Sequence, residues 1–342
     1  MGLGAVAANN KNFLGMLGMH GTYEANMAMH DCDVMLCVGA RFDDRITGNL
    51  KYFSPNSKKI HIDIDPSSIN KNVKVDLAVI GDCYYILNML MKELKASKSK
   101  IDKNSIDKWW KTIDKWKRKD CLSFIDSEKS IKPQRALQEL NKGLKGQDAY
   151  ITTEVGQHQM WAAQYLDFNK PNRWMTSGGL GTMGYGFPAA IGVQVAHPKK
   201  PVVCVAGEAS FLMNIQELSS LKQLNIPVKV FILNNEYMGM VRQWQEFFHG
   251  GRYSESYSDS LPDFIALANS FGIKGMRVTD PKDLKSSIAE MMNHDGPVIM
   301  DVCVDKMENV FPMIPAGAAH NDMKLNDHDE KEAQTLEGMG LL

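Results

Sequence analysis

The chain has 342 residues, 44% of them hydrophobic and 23% charged, and a formal net charge of −1 at pH 7. That length is too great for one typical domain and comfortable for two, and the balanced charge gives no electrostatic claim on nucleic acid or an anionic membrane. No apolar run approaches the ~18 residues of a membrane span, and six scattered cysteines without a CxxC pair speak against a disulfide framework or zinc site and for a reducing, cytoplasmic setting.

The opening stretch from Met1 to Gly21 mixes glycine-rich loop with apolar sequence. It shows no signal or transit peptide and looks like the inside of a domain. Residues 24–30 are predicted helical, and 33–38 form a buried-strand run that ends in Gly39. A second strand over 59–64 ends in acids. A third over 75–80 leads into Gly81-Asp82 and a helix over 84–94. Strands alternating with helices imply a parallel α/β sheet. Residues 95–131 are polar and Lys-rich, with Trp109, Ile113 and Trp116 at helical spacing. They predict a solvated linker helix that docks its aromatic side, and the interleaved acids argue against nucleic acid.

From Pro133 a second α/β unit is predicted. Helix 133–143, strand 149–153 and helix 157–166 open it. An apolar helix over 187–196 and strand 201–206 follow, with Gly207 closing the strand. Helix 211–224 carries the stripe Phe211, Ile215, Leu218 and Leu221. Strand 228–233 ends in Asn234-Asn235. Helix 262–271, strand 274–278, helix 281–292 and strand 297–304 complete a doubly wound pattern, whose ligands bind beyond the carboxyl ends of the strands. The 22 methionines read as adaptable core filler. The fold class expected is therefore α/β, with two doubly wound parallel-sheet domains. The division expected is 1–95, a linker helix region 96–132, a cofactor domain 133–320 and an acidic tail 321–342.

The strongest chemical signal is the pair Gly207-Glu208-Ala209-Ser210 and Asn234-Asn235, with 27 residues from Glu208 to Asn235. Each half closes a strand, so the strand–helix–strand between them brings a carboxylate and an amide oxygen to one edge of the sheet. Both are hard oxygen ligands suited to Mg²⁺ holding a diphosphate. The start of helix 211–224 would add backbone N–H groups and a positive dipole end. Ordinary turn chemistry is the plain alternative.

This pair resembles the thiamine-diphosphate fingerprint, Gly-Asp-Gly followed at similar distance by Asn-Asn. Here Glu208 stands for the Asp and Ala209 for the second Gly, so the carboxylate is one methylene longer and the loop must retract slightly. The flanking runs Glu154-Val-Gly-Gln-His-Gln-Met-Trp-Ala-Ala-Gln164, Ser177-Gly-Gly-Leu-Gly-Thr-Met-Gly-Tyr-Gly186, Asn214-Ile-Gln-Glu-Leu218 and Leu233-Asn-Asn-Glu-Tyr-Met-Gly-Met-Val-Arg-Gln-Trp-Gln245 resemble the acetolactate synthase family. In front, Leu17-Gly-Met-His-Gly-Thr22, Val38-Gly-Ala-Arg-Phe-Asp-Asp-Arg-Ile-Thr-Gly48 and His61-Ile-Asp-Ile-Asp-Pro66 resemble that family's central, FAD-binding domain.

The resemblance implies an enzyme that decarboxylates pyruvate and joins the retained two-carbon unit to pyruvate or 2-ketobutyrate. It implies thiamine diphosphate, Mg²⁺ and a structural FAD, a homodimer or tetramer, and a regulatory small subunit. Glu208, Asn235 and the backbone oxygen of Tyr237 would hold Mg²⁺. Gln157 and His158 would meet the diphosphate, with Gly181, Gly207, Ala209 and Ser210 beside the cofactor. Met183 and Met240 would support its bent form, core packing being the alternative. Arg45 would pair the acceptor's carboxylate, or else form a surface salt bridge with Asp43 or Asp44. Val241 and Trp244 would wall the acceptor pocket, Trp244 favouring the larger acceptor. For FAD the matching positions are Gly18, Met19, His20, Gly21, Gly39, Ala40, Arg41, Asp43, Asp63, Ile64 and Asp82. Asp63 or Asp65 suits adenosine hydroxyls, glycines 18, 21 and 39 suit close approach of a dinucleotide, and His20 is either a flavin contact or a loop histidine. The family's activating glutamate lies in an N-terminal domain not found here, so the expectation is that this polypeptide alone is inactive. Another thiamine-dependent carboligase or decarboxylase, or a non-catalytic cofactor-binding chain, stays open beside this reading.

Overall fold

A computed structural model describes residues 2–97 and 101–326. The chain forms two compact units. One joins Leu14–Ser123 to the segment 311–326; the other joins the stretch up to Phe13 to Phe124–Val310. This differs from the contiguous division read from the sequence. Hydrogen bonds within each unit give the reason. Ile314 N–H donates to the Met19 carbonyl at 2.8 Å, and the His320 ring meets the Ile46 carbonyl at 2.7 Å. In the other unit, Ala8 N–H donates to the Phe168 carbonyl at 3.0 Å. Periodicity along the chain cannot register such returns. The expected tail from 321 is described only to Asn326, and the rest lies outside the described residues.

The first unit carries a three-stranded parallel sheet, β1 (Val34–Val38), β2 (Lys58–Asp63) and β3 (Leu77–Ile80), in that spatial order. Its helices include Tyr23–Asp31, capped by Thr22, and Cys83–Ala96, capped by Asp82. The Lys-rich stretch forms the helix Lys103–Lys117, whose Ile113 is buried and whose Trp109 and Trp116 rings meet edge to face at 5.5 Å. It packs on Tyr23–Asp31 and belongs to this unit rather than standing as a linker.

The second unit is built on six parallel strands. They are β4 (Tyr150–Thr153), β5 (Trp174–Thr176), β6 (Val202–Gly207), β7 (Lys229–Asn234), β8 (Lys274–Val278) and β9 (Val298–Cys303), in the order β5-β4-β6-β7-β9-β8. Side chains alternate between two cores, as a sheet covered on both faces requires. Phe231 and Leu233 of β7 join Leu137, Leu140, Trp161 and Ile288 on one face. Val230 and Ile232 join Phe187, Phe211, Leu218 and Phe264 on the other. The helices behind these residues are Pro133–Gly143, Gln157–Tyr165 and Leu284–Asn293 on the first face, and Gly186–Ala196 and Phe264–Ser270 on the second. The predicted helix 211–224 is replaced by two short ones, Glu208–Leu212 and Glu217–Gln223. Between them Met213, Asn214, Glu217 and Leu218 bond three residues back, to Ser210, Phe211, Asn214 and Ile215. Its apolar stripe still faces the core: Phe211, Leu218 and Leu221 are fully buried, and Ile215 is half-buried against them. No helix among the described residues is long and apolar enough to cross a membrane.

From β4 the chain moves outward to β5, then returns to β6 and winds the other way to β7. The crevice between the carboxyl ends of β4 and β6 is therefore the topological switch point, where open α/β sheets take their ligands.

Candidate functional site: the switch-point crevice

Three strands end at this crevice in polar residues: β4 runs into Glu154, β6 into Glu208, and β7 into Asn234-Asn235. Gly207 and Leu233 are register partners, so Glu208 leaves its strand level with Asn234, one residue before Asn235, on the adjacent strand. Glu208 is 1% exposed, and its Oε1 has no hydrogen-bond partner. Burial pushes its carboxyl up to about 8; the backbone N–H groups of Asn235 and Tyr237 pull the other way, and buried Asp301 adds to the rise. A buried, unpartnered carboxylate oxygen facing an amide and a peptide group is a poor resting state in water-excluded protein and a good one for a hard cation. Among the described residues no three His, Cys, Asp or Glu side chains cluster as a metal site.

The loop after β7 is tightly specified. Glu236 N–H donates to Asn234 Oδ1 and Tyr237 N–H to Asn235 Oδ1, each at 3.1 Å, and Glu236 holds φ at 60°. Residues 256–258 pin it from outside, through Met238 N–H to the Ser256 carbonyl and Ser258 N–H to the Glu236 carbonyl, both at 2.8 Å. Asn234 anchors inward by donating to Asp301 at 2.9 Å.

His158 lies in the first turn of the helix Gln157–Tyr165, 5% exposed, with Nε2 unpartnered. Burial lowers its imidazole to about 3, so it is neutral. Its ring packs on Gly207, where a Cβ would come 2.8 Å from Nδ1, which explains glycine there. Gln157, expected at the diphosphate, has its amide engaged by Asn235, Gln243 and the Glu308 carbonyl. The Ser210 hydroxyl donates to the Val155 carbonyl at 3.4 Å. Ala209 and Met183 are half-buried beside these groups. The expected phosphate-facing helix start at 211 is displaced to Glu208, and that helix has only five residues. In the glycine run, Gly181 is open, but at Gly184 a Cβ would come 2.7 Å from the Asn214 amide, so glycine there serves the chain's own packing.

Sequence reasoning did not single out Glu154. It is fully buried, 4.0 Å from His158 Nε2, and both carboxyl oxygens lack a partner. The N–H groups of Gly186 and Gly207 face it without reaching hydrogen-bond geometry, and burial raises its carboxyl to about 8. The available signal was an acid closing a strand run, as Glu208 does. Because the folded value lies above the ordinary 4.5, the native state holds this proton more tightly than the unfolded chain. Stability from this group is full below pH 4.5 and is lost as pH rises towards about 8. We expect Glu154→Gln to gain stability relative to wild type across that window, read from paired urea titrations in the absence of cofactor. A flat difference curve would show that Glu154 does not titrate there.

Beyond the loop, the helix Gly239–Phe248 presents Met240, Val241 and Trp244 to an open pocket of about 720 Å³, with Gln245, His249, Arg252 and Ser254 around it. Trp244 leans on Phe248 at 4.8 Å between ring centroids. Val241 and Trp244 thus share one wall, as their spacing suggested.

In the first unit, Gly39, Asp63 and Gly81-Asp82 lie at the carboxyl ends of β1, β2 and β3. Ile64 is exposed, and Asp63 accepts from Asp65 N–H at 2.8 Å. Asp82 is occupied as the N-cap of Cys83–Ala96, and the Ala40 carbonyl meets the His61 ring at 2.8 Å. At Gly18 and Gly21 a Cβ would strike the chain's own backbone, at Arg45 O and Leu17 Cα, so those glycines answer to local packing; at Gly39 a Cβ would meet Cys83 Sγ at an ordinary 3.6 Å. His20 is buried against the Pro312 carbonyl, and burial lowers it to about 4. Met19 N–H donates to the Arg45 carbonyl. Arg41 pairs with Asp43 at 3.1 Å and Arg45 with Asp44 at 2.9 Å, both exposed. Arg45 therefore stands in the surface pair that was its alternative reading.

Comparison with known proteins matches these two regions separately. Residues 1–90 match the thiamine pyrophosphate enzyme central domain, and 154–302 match the thiamine pyrophosphate enzyme C-terminal TPP binding domain. The acetolactate synthase isozyme 3 large subunit of Escherichia coli (strain K12) is 47% identical over 329 residues, 95% of this chain and 57% of that protein. The acetolactate synthase large subunit of Haemophilus influenzae is 47% identical over 334 residues, 97% of this chain and 58% of that protein. That of Cyanidium caldarium is 46% identical over 324 residues, 94% of this chain and 55% of that protein. The chain thus spans a little over half the length of these curated relatives. It belongs to the thiamine pyrophosphate enzyme family, spanning that family's central and C-terminal TPP binding domains, and is a homologue of acetolactate synthase large subunits.

Proposed function

We propose that the protein carrying this chain is an acetolactate synthase of branched-chain amino-acid biosynthesis, on the route to valine, leucine and isoleucine. It decarboxylates pyruvate and joins the retained two-carbon unit to a second 2-ketoacid. Pyruvate as acceptor gives 2-acetolactate, and 2-ketobutyrate gives 2-aceto-2-hydroxybutyrate. The observation that carries this reading is the unpartnered Glu208 carboxylate oxygen facing Asn235 and Tyr237 at the switch-point crevice. Thiamine diphosphate, when bound, supplies the electron sink for loss of CO₂. Glu208, Asn235 and the Tyr237 peptide oxygen hold the Mg²⁺ that secures its diphosphate, and neutral His158 offers one ring nitrogen beside it. Met183 and Met240 support the cofactor. Arg45 serves the acceptor carboxylate once released from Asp44. The first unit holds FAD at the carboxyl ends of β1–β3, with Gly39 and Asp63 as its principal contacts. Six free cysteines suit a cytoplasmic setting. Assembly as a homodimer or tetramer with a regulatory small subunit belongs to the same proposal.

The test is formation of acetolactate from pyruvate by that protein, supplied with thiamine diphosphate, Mg²⁺ and FAD. Release of acetaldehyde, or turnover of glyoxylate instead, would move the reading to a decarboxylase or another carboligase. Trp244 and Val241 wall the pocket for the acceptor's alkyl group. One methylene in such a pocket is worth about 1–3 kcal/mol, so Trp244→Leu should lower the preference for 2-ketobutyrate over pyruvate by about tenfold. Product ratios at equal acceptor concentrations measure it, and an unchanged ratio would remove Trp244 from acceptor choice.

A further inference from the structure

The Asn235 amide is held by a buried chain of amides. Its Nδ2 donates to Gln157 Oε1 at 3.0 Å, while its Oδ1 accepts from Tyr237 N–H. Gln157 Nε2 donates to Gln243 Oε1 at 2.9 Å and to the Glu308 carbonyl at 3.0 Å. Gln243 ends the chain on backbone: its Oε1 accepts from Val310 N–H at 2.8 Å and its Nε2 donates to the Val310 carbonyl at 3.3 Å. Asn235, Gln157 and Gln243 are 5%, 3% and 0% exposed, so water does not substitute for these partners.

An isolated side-chain amide has two nearly equivalent orientations, because its oxygen and nitrogen ends are alike in size. A peptide group has no such freedom: its N–H meets only an acceptor and its carbonyl only a donor. Val310 therefore fixes Gln243 with Oε1 towards its N–H. Gln157 must then present Nε2 to Gln243, a choice the Glu308 carbonyl reinforces. Gln157 Oε1 is left facing Asn235, which must offer Nδ2 and turn Oδ1 the other way, to the Tyr237 N–H. The polarity of one peptide bond is thus passed along three amides to a ligand oxygen.

We infer that Gln243 is a positioning residue for the cation site: acting through Gln157, and together with the Tyr237 N–H, it holds the Asn235 amide with Oδ1 towards the metal. The inference rests on the proposed cation site. Gly239, at the start of the helix bearing Gln243, belongs to the same device. A Cβ there would lie 2.0 Å from Gln157 Oε1 and 3.0 Å from Asn235 Nδ2, so any side chain displaces the Gln157 amide from its bond to Asn235.

The experiment is the Mg²⁺ concentration that half-saturates thiamine diphosphate binding to the full chain, followed by calorimetry, alongside thermal unfolding without ligand. Outer-shell partners of metal ligands typically govern affinity by about 10–100-fold. Gln243→Leu should therefore raise the half-saturating Mg²⁺ at least about tenfold. Gln243→Glu, held protonated by burial, keeps an acceptor for Gln157 and the Val310 N–H and an O–H for the Val310 carbonyl, and should stay close to wild type. Gly239→Ala tests the same link without emptying the core. Alanine favours the helix, and the atom it displaces is the end of a flexible side chain. It should unfold at a temperature nearer wild type than Gln243→Leu does and still lose Mg²⁺ affinity like Gln243→Leu, and it decides the matter alone if Gln243→Leu does not fold. Wild-type half-saturation in Gly239→Ala, or equal shifts in Gln243→Leu and Gln243→Glu, would overturn the inference while leaving the cation site standing. Thiamine diphosphate binding by wild type that ignores Mg²⁺ would remove the cation site itself, and the positioning role with it.

Discussion

Glu208→Gln is expected to lose Mg²⁺-dependent thiamine diphosphate binding by at least about 100-fold, and to leave the cofactor-free protein more stable than wild type above pH 8. The two halves have one cause. Glu208 is 1% exposed with one oxygen unpartnered, and burial raises its carboxyl to about 8. Its raised value means the native state favours the proton, so its stability contribution is full below the ordinary 4.5 and gone once pH passes about 8. Glutamine has nearly the same shape and no charge to desolvate, so it removes that cost and the cation's main attraction together. A site that destabilises the empty protein and binds the loaded one is the usual trade at functional positions. Glu208→Asp separates charge from reach. If the loop has retracted to suit the longer side chain, aspartate falls one methylene short and binding weakens despite the retained charge. Calorimetry with and without Mg²⁺, paired with urea unfolding at pH 9, checks both. Unchanged cofactor binding in Glu208→Gln would refute the ligand assignment.

What was legible in the sequence follows from the range over which each signal acts. The strand ends at Gly207 and Asn234 fell within a residue of prediction, because a buried parallel strand is a short apolar run stopped by polar residues, and the run is local. The meeting of Glu208 and Asn235 was legible for a related reason: a right-handed strand–helix–strand unit places two successive strand ends side by side. The helix predicted over 211–224 failed at 213–216. Its stripe of Phe211, Leu218 and Leu221 reports which side faces the core, and three-residue turns carry that stripe nearly as well as α-helix does. The domain boundaries failed because the segment after Phe311 returns to residues near Met19 and Ile46, a pairing that leaves no periodic trace.

The site shows the same divide. Residue types announce chemistry, so Glu208, Asn235 and Trp244 stood out. Burial and partner choice do not show in a string of letters. Gln157 and Asp82 matched cofactor positions, but that one bonds an asparagine amide and the other caps a helix was not legible. Glu154 went unweighed although it is as buried as Glu208 and lacks partners at both carboxyl oxygens where Glu208 lacks one. Glycines show the limit most directly. Gly18 and Gly239 are both forced by close neighbours, and only coordinates tell that the neighbour is backbone in one case and the Gln157 side-chain amide in the other.

Arg242→Leu should cost about 3 kcal/mol of unfolding free energy, among the largest losses available to a single side chain here. Arg242 is fully buried on the helix that carries Val241 and Trp244. It pairs with Glu246 one turn on, and its Nη2 donates to the Glu308 carbonyl at 2.8 Å and to Asn309 Oδ1 at 2.7 Å. Asn309 closes the ring by donating to Glu246 at 3.1 Å. Leucine fills much of the volume but meets none of these acceptors, and a buried group deprived of its donor bears its full desolvation cost. The loss stays at the lower end for a broken buried pair because Glu246 is 31% exposed and can turn to water. Arg242→Lys should fall between, since a single ammonium cannot serve acceptors on both sides of a planar fork. For a unit of this size the leucine variant's midpoint should drop by roughly 6–12 °C. Urea unfolding and calorimetric scans decide it. A loss below about 1 kcal/mol would mean that the helix is held mainly by its apolar contacts, and that the 308–310 segment, with the Val310 peptide that orients Gln243, does not need the guanidinium to stay in place.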